Sequence, residues 1–497
     1  MWVGGWLPSA LGWVGVEGDD RCMMAGSSVG FTSIGGVRNG LDRAGAADLT
    51  VLAADRGAVP MNIGAVLVFD GSGPTSEEVR VLLGERVPRI PRLRQTLRRT
   101  LFGCGRPIWV DDPTFSVERH LTSVRWPEPG TRDALFDLAA ELLCRPFDRD
   151  RPLWQAYSVT GDGRAALVVV MHHVLADGLG GLAVLGALAD ESTGAVVAPF
   201  PLPPPGVRQL AIDATLAKLH AIGALPAGLR RGRAGLRELT SGTRSIRSAE
   251  PISLVRPTGR RRRPTSTAAP LDEVAAIGHR FGGTVNDVVL AAISGALFEI
   301  LDARGERPRH LVVSIPVSGR RTATASDLGN DTGVRPLAIP AIADDAARLT
   351  AIVAASATAR AASTRAASAA PLGWGFRLLH RLGLFQPFID HQRLVHTFET
   401  NLRGPTTAVH LAGHRIGTLL PLVATPGNVG VTFAVLSYVG ALTVTTIADP
   451  DILPEQEALT RALHETFTRL AHASPHRGES GCREGSSSTA STRSIPL

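Results

Sequence analysis

Apolar and polar positions fall into blocks from about residue 43 onward, and the period of the pattern changes from block to block. Residues 63–69 (IGAVLVF) form an apolar run of strand length that stops at Asp70-Gly71. Residues 76–87 and 131–144 instead repeat their apolar positions every three or four residues, which predicts helices. Residues 165–171 (AALVVVM) are apolar without a break, as expected of a strand covered on both faces, and 179–190 reads as a helix behind it. A second block follows a proline-rich break at 199–205. There, 271–281 predicts a helix stopped by Gly282-Gly283, and Thr284 opens another through about Ala303. Residues 311–317 (LVVSIPV) predict a strand, 431–438 and 441–447 a hairpin about Val439-Gly440, and 455–473 a final amphipathic helix.

The blocks define an order of units. Residues 1–42 are Gly-rich and weakly patterned, and read as a poorly ordered extension, with Met23 and Met24 as alternative starts. Residues 43–200 form a first α/β unit, 201–265 a Pro/Arg-rich linker, 266–473 a second unit and 474–497 a disordered tail. The fold class expected is α/β (α+β), in two halves.

Composition narrows this picture. The 497 residues are 44% hydrophobic, enough for packed cores and too much for a disordered chain. No run of about 18 uncharged apolar residues occurs, so no membrane-spanning helix is expected. The opening MWVGGWLPSALGWVGV lacks the basic start of a secretory signal. A cytoplasmic protein is expected, at most peripheral at the inner face of the cell membrane. Cys22, Cys104, Cys144 and Cys482 lie in no CxxC pair, which argues against both a zinc site and a disulfide framework.

The net charge is +7, and all but one of the 52 basic residues are arginine, Lys218 being the exception. Residues 208–263 hold 13 basic and 3 acidic side chains, a net +10, so the rest of the chain carries 7 − 10 = −3. That segment has no aromatic residue for base stacking, so nucleic acid is not the expected partner. An anionic membrane surface or a phosphorylated cofactor fits better. The run Arg260-Arg261-Arg262-Arg263 is either a solvated cluster or a contact for phosphates.

Chemistry concentrates at His172-His173-Val174-Leu175-Ala176-Asp177-Gly178, directly behind the apolar strand. Neighbouring strand side chains point to opposite faces, so one histidine at most faces a given cleft. A neutral imidazole there suits a general base, because its ordinary pKa is close to physiological pH. Asp177 would fix the loop by pairing with an arginine. The two histidines diverge and no third ligand is suitably spaced, so no metal is expected.

Through this HHxxxDG segment the chain resembles acyl-CoA-dependent acyltransferases of the chloramphenicol-acetyltransferase-like fold, and more narrowly the bacterial wax ester synthase/diacylglycerol acyltransferase family. The matching pieces are PMNIGAVLVFDG (60–71), RPFDRDRPLW (145–154), HHVLADG (172–178), GTVNDVVLAAISGAL (283–297), SIPVSGR (314–320), NLRGP (401–405) and LSYVG (436–440). They fall in the family's order across most of the chain. The family commonly has proline where Arg403 stands, and residues 1–42 have no counterpart.

The resemblance implies two acyltransferase-like subdomains joined by the basic linker, with a substrate tunnel at their junction. It implies that no cofactor is bound and that acyl-CoA is a cosubstrate, with diacylglycerol or a fatty alcohol as acceptor at a membrane or lipid-droplet surface. His173 would be the general base, with His172 supporting the loop and Asp177 and Gly178 structural. Arg320 is a candidate partner of Asp177. Asn286-Asp287 matches a pair associated with activity, although Thr284-Val285-Asn286-Asp287 also reads as a helix start. Pro152-Leu153-Trp154 reads first as an anchoring turn with a buried Trp. Two alternatives stay open: transfer to another acceptor, such as a polyketide or carrier-bound intermediate, or a non-catalytic acyl-CoA or lipid-binding protein.

Overall fold

The computed structural model describes residues 41–192, 199–223, 249–318, 324, 328–330, 332–363, 379, 382–423 and 427–474. Helix α1 (Ala46–Ala54) precedes β1 (Asn62–Phe69), α2 (Ser76–Arg86) and a small antiparallel pair, β2 (Gln95–Arg98) and β3 (Ile108–Asp111). Then come β4 (Leu121–Arg125), α3 (Arg132–Leu143), β5 (Trp154–Gly161), β6 (Arg164–His172), α4 (Gly178–Leu188) and α5 (Val207–Gly223). The second half holds β7 (Arg263–Pro270), α6 (Leu271–Arg280), α7 (Val285–Ala303), β8 (His310–Ser318), β9 (Thr332–Pro340), α8 (Asp345–Ser363) and α9 (Phe385–Asp390). It closes with β10 (Thr397–Arg403), β11 (His410–Leu411), β12 (His414–Val423), β13 (Val431–Tyr438), β14 (Ala441–Ala448) and α10 (Gln456–His472).

Two mixed sheets organise these elements. The first runs β11-β12-β1-β6-β5-β4 and the second β7-β14-β13-β10-β8-β9. The unbroken apolar text of β6 is explained by cover on both faces. Val168 and Val170 pack with α3 residues Leu135, Ala139 and Leu142, whereas Leu167 and Met171 pack with Val79 and Leu83 of α2 and Leu182 of α4. In the second sheet, Phe433, Val435, Val313 and Val444 are covered by α6, α7, α8 and α10. Glu399 of β10 is in register with Phe433 and so shares that helix-covered face. It is wholly buried, neither carboxylate oxygen has a hydrogen-bond partner, and burial alone pushes its pKa up to about 8.

The two-sheet α/β plan agrees with the sequence reading, but the sheets cross the boundary expected at 201–265. β12, from the C-terminal half, lies beside β1, with Ile63 opposite Val423 and Val68 opposite Thr418. The expected linker is partly folded as well. α5 packs Leu210 and Ala211 against Cys104, Ile108 and Val110, and β7 already begins at Arg263. Residues 224–248 of the linker, residues 1–40 and the tail from 475 lie outside the described residues. Leu41 and Asp42, assigned above to the N-terminal extension, are packed: Leu41 lies against the Cys104 cluster, and Asp42 accepts from the Trp109 amide.

Three arginines of the run are engaged within the fold, whereas Arg260 is exposed. Arg261 pairs with Asp451 at 2.7 Å, Arg263 pairs with Glu457, and Arg262 is buried with Nη1 donating to the carbonyls of Gly259 and Arg261. These contacts fasten the entry of β7 to the β14–α10 connection and to α10. Among the described residues no single helix is long and apolar enough to cross a membrane. α6 and α7 meet that description only together, bend by 94° at their junction, and α7 is largely core.

Candidate active site

β6 ends on His172, and the chain turns at once. Backbone N–H groups of Val174 and Leu175 donate to His172 Nδ1 at 3.1 Å and to its carbonyl at 2.9 Å, while the His173 amide donates to the Met61 carbonyl at 2.8 Å. His172 is buried and His173 half-buried. The turn leads into α4, whose N-cap is Asp177. Its Oδ1 accepts from the Gly180 amide at 2.9 Å, satisfying one of the donors a helix start leaves unpaired. This buried carboxylate therefore fixes the loop through a helix cap; its candidate partner Arg320 lies outside the described residues. Gly178 permits the close approach of β10, since a Cβ there would stand 2.8 and 2.9 Å from the terminal carbons of Leu402.

α1 supplies two carboxylates, Asp48 within the helix and Asp55 at its C-cap. Seven residues are close to two helical turns, so both side chains leave the same face. They serve the two histidines separately. His172 Nδ1 accepts a backbone N–H, so its proton sits on Nε2, which faces Asp55 Oδ2 at 3.1 Å. Asp55 also accepts from the Met61 amide at 2.7 Å and pairs with Arg149. Burial raises the Asp55 pKa, but His172, that amide and Arg149 outweigh it and hold the carboxyl below its ordinary value.

His173 is reached through an amide. Asn330 Nδ2 donates to Asp48 Oδ1 at 2.9 Å and to the His173 carbonyl at 2.8 Å, which turns Asn330 Oδ1 toward His173 Nδ1 at 3.0 Å. The Asn330 amide N–H donates to the same Asp48 oxygen at 3.2 Å. An acceptor opposite Nδ1 places the His173 proton on that nitrogen and leaves the lone pair on Nε2. Burial lowers the His173 pKa below that of an ordinary imidazole. Its own backbone, Asp177 and Asn330 act in the opposite direction without reversing this. The result is a neutral imidazole with an available base at Nε2.

The second half brings Asn286 to the same junction. Thr284 caps α7, with Asp287 Oδ2 accepting from the Thr284 amide and hydroxyl, both at 2.8 Å, and Thr284 Oγ1 accepting from the Asp287 amide at 3.3 Å. Asp287 is 1% exposed and held in this capping box. Asn286 Oδ1 accepts from Asn401 Nδ2 at 2.8 Å. Asn401 directly precedes the Leu402 that lies against Gly178, so β10 connects the α7 N-terminus to the HHxxxDG turn. Arg403, where the family commonly has proline, closes β10 in register with Ser437.

The structure thus gathers His172, His173, Asp177 and Gly178 in one turn, attaches Asn286 through Asn401, and gives Asp287 a helix-start role. Trp154 is buried, with its indole N–H donating to the Leu93 carbonyl at 2.6 Å, in keeping with an anchoring turn. Asp48, Asp55 and Asn330 were not singled out in the sequence. Two carboxylates seven apart just before PMNIG, among apolar helix positions, were the available signal for the first two. Asn330 arrives from 157 positions away and had none.

Known proteins resemble this chain over most of its length. Residues 45–289 match the model of the wax ester synthase/diacylglycerol acyltransferase catalytic domain, and residues 328–471 that of the WS/DGAT C-terminal domain. A Mycobacterium tuberculosis protein named as diacylglycerol O-acyltransferase tgs1 is 31% identical over 441 residues, 84% of this chain and 93% of that one. The wax ester synthase/diacylglycerol acyltransferase of Marinobacter aquaeolei VT8 superimposes with a TM-score of 0.61 at 20% identity, over 86% of this chain and 98% of that one. The first condensation domain of the calcium-dependent antibiotic synthetase superimposes with a TM-score of 0.59 at 20% identity, over 87% and 98%.

Proposed function

The chain belongs to the wax ester synthase/diacylglycerol acyltransferase family, and on that premise we propose that it moves a long fatty acyl group from CoA to the hydroxyl of diacylglycerol or a fatty alcohol, with His173 as general base. The observation that carries the mechanism is the 3.0 Å contact of Asn330 Oδ1 with His173 Nδ1, an acceptor that favours the Nδ1–H tautomer and a lone pair on Nε2. Nε2 takes the hydroxyl proton as the alcohol oxygen attacks the thioester carbonyl carbon. The tetrahedral adduct then collapses, the carbon–sulfur bond breaks, and Nε2 returns the proton to the departing CoA thiolate. The products are an ester and free CoA. No acyl-enzyme forms and no cofactor beyond the acyl-CoA cosubstrate is used.

His172 and Asp55 hold the turn from its buried side. The N-terminus of α7, with Asn286 held by Asn401, provides a positive dipole end suited to the oxyanion of the adduct. Acyl-CoA and acceptor meet along a tunnel between the halves. Because both the acceptor and the product are lipids, the enzyme works at a membrane or droplet surface from the cytoplasmic side.

Transfer of labelled palmitoyl from CoA, with dioleoylglycerol and hexadecanol offered separately, tests this reading against His173→Ala. Ester formed by wild type and lost in the variant is the expected result. Ester that survives the substitution removes His173 as the base, and no ester from either acceptor refutes the assigned reaction.

A further inference from the structure

The β2–β3 hairpin with α5 packed on it presents apolar side chains to solvent, and nothing in the acyl-transfer chemistry uses them. Phe102 at the hairpin tip is wholly exposed and Leu101 is 65% exposed. α5 buries Leu210 and Ala214, yet Ile212, Leu216 and Leu219 on its far side are each about half or more exposed. At about 100° per residue these three form one stripe, directed away from the packed face. The tip and helix adjoin, since Gly105 lies against Ala214 and Arg43 bonds both Asp213 and the Arg106 carbonyl.

Charge on this unit is one-sided. Arg98, Arg99, Arg208 and Lys218 are exposed. The neighbouring carboxylates are already engaged: Asp42 by Arg92 at 2.9 Å, Asp213 by Arg43 at 2.6 Å, and Asp111 by the Leu202 amide at 2.9 Å. A surface hollow of about 400 Å³ between Leu41, Ile212 and Leu216 has Arg208 on its rim. Exposed aromatic and aliphatic groups flanked by unneutralised arginines fit a lipid surface with anionic headgroups, where side chains enter the acyl region and cations meet phosphate.

We propose that the Leu101–Phe102 tip and the Ile212–Leu216–Leu219 stripe form the face by which this chain docks on an anionic phospholipid leaflet. The assignment rests on the reading above that the enzyme works at a lipid surface, and it names the surface that does so.

The test uses the full chain in flotation with vesicles of phosphatidylcholine alone and of phosphatidylcholine mixed with phosphatidylglycerol. Wild type is expected to float with the mixed vesicles and to release as salt rises. Leu101→Ser with Phe102→Ser, and Leu216→Ser with Leu219→Ser, should each lower the partition coefficient about tenfold or more. Arg98→Gln with Arg99→Gln should lower it roughly tenfold on the mixed vesicles only. Transfer from a short acyl-CoA to a short, water-soluble alcohol should stay at the wild-type rate in every variant, which shows that each is folded. Wild type that floats with neither vesicle refutes the lipid-surface reading itself. Wild type and variants that float equally refute this face while that reading stands. A wild-type dimer that the serine variants turn into monomer makes the face a contact with a second copy and overturns the proposal.

Discussion

Replacing Glu399 by glutamine isolates the effect of one buried carboxyl. The side chain lies within the helix-covered core of the second sheet without a hydrogen-bond partner, and its pKa stands near 8 against an ordinary 4.5. Between those values the folded chain holds a proton that the unfolded chain releases. Stability therefore falls as pH rises through that window, and is flat below and above it. Each pH unit costs about 1.4 kcal/mol, so at pH 7 the wild type has lost about 3 kcal/mol relative to acid conditions. Glu399→Gln has no proton to lose and shows no such slope. Wild type and variant should melt alike near pH 5 and diverge steadily above it. At pH 7 the variant should be higher by roughly 6–12 °C for the unfolding of a unit of this size. Thermal melts of both proteins at several pH values from 5 to about 8.5 measure the divergence. A gap that is the same at every pH would refute the reasoning, because it would show that Glu399 is ionised, or solvated, in the folded state.

Three further outcomes bear on the site. Asn330→Leu keeps the bulk but removes the acceptor opposite His173 Nδ1; it should cut kcat about 10- to 1000-fold with little change in KM for acyl-CoA, in the range expected for a misoriented general base. The acid limb of the kcat/KM–pH profile should fall below the ordinary imidazole value, since burial lowers His173, and a limb above that value would contradict a desolvated base. Gly178→Ala should slow turnover by pushing Leu402 and the attached Asn401–Asn286 contact, and Leu402→Ala in the same chain should recover most of the rate; no recovery would show that the glycine matters for another reason.

Much of the fold was legible because burial on both faces writes itself into the chain. β6 and the pair β13–β14 read as strands from their apolar text, and Val439-Gly440 turns with φ of +47° and +78° as a tight hairpin requires. The HHxxxDG turn was legible for the same local reason, being a strand end followed by a capped helix. What escaped was set by partners far away in sequence. β12 shows no sign in its text that it belongs beside β1, and the segment 201–265 gave no periodic signal strong enough to reveal α5. Asp177 was expected to meet an arginine, and that candidate, Arg320, lies outside the described residues; Asp177 also caps a helix, a role that Asp177 followed three residues later by Gly180 could have suggested. Asn330 illustrates the limit most clearly. Its function depends on the carbonyl and ring of a residue 157 positions away, and no local pattern encodes that.

The placement of β12 beside β1 also has a consequence for synthesis. Until residues 414–423 have left the ribosome, β1 has β6 on one side and an open edge on the other, with the apolar side chains of Val66 and Leu67 beside it. The nascent first half is thus obliged to wait, carrying an edge able to pair with other chains, for a strand translated near the end. The two halves are therefore one kinetic unit: neither is expected to mature alone, and the completed sheet is a late event that couples the HHxxxDG turn to the arrival of the C-terminal strands.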